Sequence, residues 1–443
     1  MIKSFSLRLP VIAAAVTASL VAAGCGSSGP TGSGGSGGGA AASAPGITST
    51  QILIGSHQPL TGLAAPGYSE IAPAANAYFQ YVNAHGGVNG RKIKYTYLDD
   101  GYDPAKTTSV VHQLVLQDNV FAIFDGLGTP THLAVVKYLN SSKVPDLFIA
   151  SGCDCWNNPT AFPYSFGWQL DYIREGKILG AYIKQHFPGK KIGYFYQNDE
   201  FGLDGVKGLD MEIPHSQVVS RQGYTFTNVN VGPAVAALKA SGAQVVVSFA
   251  IPAFNALFKL TSLKLGFSPT LVASNVGTDP LTLGGLLEAY AKQAGATVSG
   301  NALTQGIITD YYLPAVGNTG NSWIALFKKV HDTYDPKAPF DGNVLYGEAV
   351  AYAFVQAMMK AGKNPTRAAL VSAINAGLPQ GPAVAPYAYS ATNHDGVTGG
   401  YIGMIKNGAL VQQGPVYVTD ATPTGAVTAY TGSEQTAPAS GMP

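Results

Sequence analysis

The chain has 443 residues, with 26 Lys and Arg against 25 Asp and Glu, a formal net charge of +1. Near-neutrality without a Lys/Arg cluster argues against nucleic acid as a partner, and the length exceeds one ordinary core while suiting two lobes. The eight histidines are scattered and no second Cys/His pair accompanies the three cysteines, so neither a metal site nor a cofactor is expected.

Lys3 and Arg8 precede a mostly apolar run over 9–23 that ends in Ala22, Ala23 and Gly24, the charge-then-apolar order of a secretory signal. The run contains Pro10 and falls short of the roughly twenty apolar residues a membrane span needs. Residues 1–24 read as a signal peptide, and its removal leaves 24 basic residues against the same 25 acidic ones. Val21-Ala22-Ala23-Gly24-Cys25 resembles the bacterial lipobox, with Ala22 where its strongest form has leucine. That resemblance implies a diacylglycerol on Cys25; a plain secretory signal that contains a cysteine is the other reading. Acyl chains at about 0.8 kcal/mol per buried CH₂ would anchor the chain to a membrane. Residues 25–46 are then the lipidated cysteine and a flexible linker, because 26–45 holds no apolar residue larger than alanine. Its root-mean-square reach is roughly 25 Å.

Two patterns in the linker carry no chemistry. Gly32-x-Gly34-x-x-Gly37 and the Gly35-Ser36-Gly37 stretch fit the dinucleotide and nucleophile-elbow signatures, but neither has the preceding strand and following helix that give those motifs their mechanism. With no P-loop and no H-E-x-x-H, the chain is not expected to be an enzyme.

From residue 51 the pattern alternates. "QILIGS" reads as a buried strand, "PAANAYFQYVNAHGG" as a helix stopped by Gly86-Gly87, "KIKYTYLDD" as a strand, "TTSVVHQLVLQD" as a helix and "VFAIFDG" as a strand. A helix over 131–140, the strand "DLFIAS", a helix over 171–187, the strand "KIGYFY", a helix near 202–211 and the strand "SQVVSRQGY" follow. Then come a helix over 235–240, the strand "AQVVVSFA", a helix over 253–265, the strands "TLVAS" and "QGIITDYY", and helices near 321–334, 344–361 and 366–376. Short apolar strands alternating with amphipathic helices predict parallel sheets covered on both faces. Ligands of such sheets sit outside the carboxyl ends of the strands. The stretch from Thr419 to the end resembles the linker in its Gly, Ser, Ala, Thr and Pro content and is expected to be disordered over 419–443. If Cys25 is lipidated, Cys153 and Cys155 remain as one pair, either a disulfide across a single residue or two free thiols.

"QPLTG", "VNAHGGVNGRKIKYTYLDDGYDPAKT", "FDGLGTPTHLAVVKYLNSSKVPDLFIASG", "FYQNDEFGLDGVKGLD" and "QGIITDYYLP" occur in the order and spacing of a known family. The chain resembles the periplasmic solute receptors of branched-chain amino-acid type ABC transporters over roughly residues 51–418. The resemblance implies an α/β fold of two Rossmann-like lobes with parallel central sheets, joined by a three-segment hinge and closing on a ligand. The first lobe would comprise 51–168 plus 307–383, and the second 169–306 plus 384–418. It also implies a monomer at the outer face of the cell membrane that captures a small-molecule solute and delivers it to an ABC permease. A ligand sensor on the same fold, signalling to a membrane partner, is a further reading.

Carried onto this chain residue by residue, Gly128 and Thr129 match the loop that holds the ligand carboxylate, Thr129 standing for the family serine. A mere N-cap role for Thr129 fits the same position. Ser151, Gly152, Cys153 and Asp154 fall on a second ligand loop, with Asp154 in place of threonine, either receiving a ligand donor or capping the next turn. Phe201 matches an aromatic of the second lobe, Ile251 falls near another, and Asn275 stands where amino-acid receptors carry the acid that pairs with the α-ammonium. Neutral Asn275 cannot balance a buried ammonium, which costs several kcal/mol unpaired. A small organic acid, amide or aromatic compound is therefore expected, with Tyr68 and Phe201 placed to sandwich a planar group. Branched-chain amino-acid binding with Asp154 as ammonium partner is the alternative.

Overall fold

The computed structural model describes residues 44–443; the leader, Cys25 and most of the linker lie outside the described residues. The first sheet contains β1 (Gln51–Gln58), β2 (Lys92–Asp99), β3 (Ala122–Phe124), β4 (Asp146–Ile149) and β5 (Ser165–Gly167) in the order β2-β1-β3-β4-β5, with every pairing parallel. Helices on both faces remove the polar alternation from the central strands, and β3 and β4 are buried at every residue. Phe79 of the helix Ile71–Ala84 meets the rings of Tyr95, Phe124 and Phe354 edge-on, which ties two strands and the helix Gly342–Lys360 into one aromatic cluster.

The second sheet contains β6 (Ile192–Gln197), β7 (Val218–Tyr224), β8 (Val245–Phe249), β9 (Thr270–Ala273), β10 (Ile308–Tyr311), β11 (Gly399–Lys406), β12 (Ala409–Val418) and β13 (Thr428–Ala429), ordered β13-β12-β11-β10-β9-β8-β6-β7. Strands β6 to β10 are parallel, as expected, whereas β11, β12 and β13 extend the sheet antiparallel. Asn407 and Gly408 have φ of 53° and 75° and close the β11–β12 hairpin. The Asn-Gly dipeptide in "IKNGAL" is the sequence signal for that turn.

The chain crosses between lobes later than expected. Because β10 belongs to the second sheet, the return to the first lobe follows Tyr311 rather than residue 306. Residues 384–398 stay with the first lobe, where the Tyr389 hydroxyl donates to the Gly167 carbonyl at 2.6 Å and His394 Nδ1 lies 2.8 Å from the Ser165 carbonyl.

The stretch 419–443 is packed instead of disordered. Lys177, fully buried, donates to the carbonyls of Asp420, Thr422 and Gly425 at 2.8, 2.7 and 2.7 Å. Beyond β13 the chain crosses back to the first lobe, where Trp323 Nε1 donates to the Gln435 carbonyl (2.6 Å), the Tyr81 hydroxyl to Ser440 (2.7 Å) and the Tyr78 hydroxyl to Gly441 (2.8 Å). Buried donors of the body need acceptors, which backbone carbonyls of any sequence supply, and the few apolar side chains of the tail, Val427 and Met442 among them, pack against the core. That is why composition misjudges this segment.

In the second lobe the helices Tyr172–His186 and Glu200–Glu212 meet at glycines. A Cβ on Gly176 would lie 2.3 Å from the Gly205 carbonyl oxygen, and one on Gly208 would lie 2.1 Å from that of Ile173. This close approach brings the first residues of both helices together, with the Tyr172 and Phe201 rings 4.7 Å apart.

Candidate functional site

Strand β3 runs into a loop whose Gly128 has φ +102°, and a Cβ there would fall 2.5 Å from both Thr131 Oγ1 and the Tyr102 ring. Only glycine permits this turn. Thr129 opens the helix Thr129–Leu133 but caps nothing: its Oγ1 lies 2.7 Å from Ser151 Oγ, which removes the N-cap reading.

Between the lobes is a cavity of about 70 Å³. Tyr68, Gly128 and Thr129 line it from the first lobe, and Phe201, Ile251 and Asn275 from the second. Ser151, Gly152, Cys153 and Asp154 do not line it. The first crossover screens that loop: the Gly152 carbonyl accepts from Tyr172 N at 2.7 Å, and a Cβ on Gly152 would meet the Leu170 carbonyl oxygen at 2.5 Å. Asp154 turns to the rim, where its N–H donates to Asp204 Oδ2 at 3.0 Å, so it is not positioned as an ammonium partner. Cys153 and Cys155 are joined as a disulfide.

Sequence reasoning missed Tyr102, Tyr172, Tyr312 and Tyr346, and the amides Gln169 and Asn343, all of which line the cavity. A signal for two of them was present, since "DDGYDP" and "TDYYLP" place Tyr102 and Tyr312 directly past strand ends. In total six tyrosines and Phe201 face the cavity, and no Asp, Glu, Lys, Arg or His does among the described residues. Burial pushes the Tyr172 phenol above its ordinary value, against hydrogen bonding with the Gly152 backbone, Ser151 and Thr129. Tyr346 donates to Asp125 Oδ1 at 3.2 Å, and Gln197 Nε2 donates to the Tyr102 hydroxyl at 3.3 Å.

The lobes are closed on one another. The Tyr68 hydroxyl donates to the Val276 carbonyl at 2.7 Å, the Gly342 N–H to Asp279 Oδ2 at 3.0 Å, and Asn343 Nδ2 to Thr282 Oγ1 at 3.1 Å. Contacts of this kind exist only in the closed form, so a ligand touching both lobes shifts the equilibrium toward it.

Two α/β lobes closed over a small cavity lined from both sides define a hinged solute receptor. The profile of the periplasmic binding protein family matches residues 51–409, and the chain belongs to that family. It is similar to the Leu/Ile/Val-binding protein homolog 8 of Brucella melitensis, 25% identical over 350 residues that cover 76% of this chain and 83% of the relative. Among solved structures, a branched-chain amino acid ABC transporter protein from Thermus thermophilus with bound valine superposes with a TM-score of 0.72 at 18% identity, over 84% of this chain and 97% of that one. An ABC transporter solute-binding protein from R. palustris in complex with benzoate superposes with a TM-score of 0.68 at 19% identity, over 86% and 98% of the two chains. The protein is thus an extracytoplasmic solute-binding protein of the ABC-transporter type. No helix among the described residues is long and apolar enough to cross a membrane.

Proposed function

We propose that this receptor is tethered by lipidated Cys25, works as a monomer, and captures a small organic acid, amide or aromatic compound in preference to a standard α-amino acid, passing it to an ABC permease. The observation that carries the choice of solute is the cavity wall, rich in tyrosine and without Asp, Glu, Lys, Arg or His among the described residues. An α-ammonium buried there would have no ionised partner, at a cost of several kcal/mol, whereas the hydroxyl, phenol and amide donors of Thr129, the tyrosines, Gln169 and Asn343 can hydrogen-bond a carboxylate. Aromatic faces and amides suit a planar or neutral polar solute instead. Relatives and neighbours are named for ligands as different as branched-chain amino acids and benzoate, which leaves the choice to the cavity's own chemistry.

Titration calorimetry on the purified receptor with leucine, valine, benzoate, benzamide and simple carboxylic acids tests the reading. Binding of an acid, amide or aromatic compound with weak or no response to leucine and valine is expected. Tight binding of leucine or valine with indifference to the others overturns it. The tether is tested by mass spectrometry of the N-terminal peptide and by release of Cys25→Ser from the membrane fraction.

A further inference from the structure

Directly behind the cavity wall lie two carboxyl groups without a cation. Glu175 sits one turn after Tyr172 on the helix Tyr172–His186, and Asp310 immediately precedes Tyr311 on β10; both are fully buried. Neither joins an ion pair among the described residues. Both converge on Asn275. Its backbone N–H lies 3.2 Å from Glu175 Oε1 and 3.1 Å from Asp310 Oδ1, and its Nδ2 donates to Asp310 Oδ2 at 3.0 Å.

Two carboxylates this close in a dry site cannot both ionise, so the pair retains a proton. Glu175 holds it: burial and then the Asp310 charge raise its pKa well above the ordinary carboxylate range. Burial lifts Asp310 only to about 6, because hydrogen bonds from Glu175 and Asn275 favour its ionised form. An ionised Asp310 accepts and cannot donate, which dictates that the nitrogen of the Asn275 amide faces it. Asn275 lines the cavity, whereas Asp310 and Glu175 do not. The amide oxygen, Oδ1, is the polar atom left for the cavity, and no protein donor reaches it among the described residues.

We infer that the Glu175–Asp310 pair is a specificity device that locks the Asn275 amide with Oδ1 toward the cleft, so that the solute must present a hydroxyl or amide N–H at that point. This rests on the solute class proposed above and narrows it. The donor is neutral, because neither carboxyl group reaches the cavity to pair with an ammonium.

The lock is read first without ligand. At neutral pH the infrared difference between the wild type and Glu175→Gln contains the C=O stretch of a protonated carboxyl, and the Asn275 side-chain amide protons exchange slowly with solvent. Affinities are then compared for benzoate, the three monohydroxybenzoates, benzamide and valine, each with the wild type, Glu175→Gln and Asp310→Asn. Glu175→Gln, which offers Asp310 an amide in place of the carboxyl proton, is expected to lower the preference for a hydroxylated member over benzoate, though less than Asp310→Asn does. In Asp310→Asn, preference for a hydroxylated member over benzoate falls from about tenfold to near parity. Should Asp310→Asn melt early, Asn275→Ala gives the same reading. Absence of the carboxyl band, or equal binding of benzoate and all its hydroxylated forms, overturns the inference. Tight valine binding with every benzoate ignored overturns the solute class instead, and the band and the Asn275 exchange rate then decide the lock on their own.

Discussion

Asp279, which caps the helix Pro280–Gln293 in the second lobe, also accepts from the Gly342 N–H of the first lobe at 3.0 Å, so one carboxylate both starts a helix and closes the cleft mouth. Beside it, Asp341 caps the helix Gly342–Lys360, and Glu70 approaches Asp341. Burial and then the Asp341 charge push Asp279 up to about 6; burial and then the Glu70 charge push Asp341 up to about 6. Burial raises Glu70 as well.

Opening returns these acids to water and toward the ordinary carboxylate range, so closure takes up protons. Affinity for a solute that does not itself titrate is expected to be level above about pH 7, to rise several-fold as pH falls through about 6, and to level off near pH 4. Asp279→Asn can still cap and is expected to flatten the profile. Calorimetry across that range checks this; a level wild-type profile contradicts it.

Tyr68→Phe removes the hydroxyl that reaches the Val276 carbonyl across the cleft. The closed form should lose about 1 kcal/mol, or roughly fivefold in affinity, with the melting temperature of the unliganded protein little changed. Binding and thermal unfolding measured on the same preparation separate the two effects.

Gly176→Ala places a methyl group 2.3 Å from the Gly205 carbonyl oxygen. The two helices must separate, which is expected to cost about 2 kcal/mol or more in urea unfolding and to loosen the Tyr172–Phe201 ring contact.

His57 and His132 link two acids in a fully buried chain: Asp100 Oδ2 to His57 Nδ1 at 2.8 Å, His57 Nε2 to His132 Nδ1 at 2.9 Å, and His132 Nε2 to Asp146 Oδ2 at 2.8 Å. Burial lowers the His57 pKa, against the Asp100 hydrogen bond that raises it. His132→Leu leaves His57 Nε2 without a partner and Asp146 Oδ2 with Ser165 alone, and a loss of about 1–3 kcal/mol in unfolding free energy is expected.

Deleting 431–443 leaves Tyr78, Tyr81 and Trp323 without their carbonyl acceptors. At about 0.5–1.5 kcal/mol each, the melting temperature should fall by several degrees. An unchanged melting curve would show that these contacts carry no net stability.

Most strand and helix periodicities were legible in the sequence because they depend on local spacing, and Tyr68 from its loop past the first strand; the hinged two-lobe organisation and the cleft positions of Thr129, Phe201, Ile251 and Asn275 were legible only through the family resemblance, and these residues line the cavity as it implies. Other features depend on segments far apart in the chain. Asp154 was misplaced because the crossover through Leu170 and Tyr172 covers its loop. Residues 419–443 looked structureless because their partners, Lys177, Tyr78, Tyr81 and Trp323, lie on distant helices. His57 and His132 looked scattered because only the parallel pairing of β1 with β3 brings the strand of one near the loop that leads to the other. The sequence by itself determined most of the strands and helices up to residue 376, since those follow from near-neighbour sterics and burial; β5, the β11–β13 extension and which loops face the cleft were decided by the tertiary structure. Only the tertiary structure decided which polar groups meet, including the Glu175 and Asp310 carboxyls behind Asn275, because buried hydrogen bonds are settled by where the backbone places donors and acceptors from separate elements.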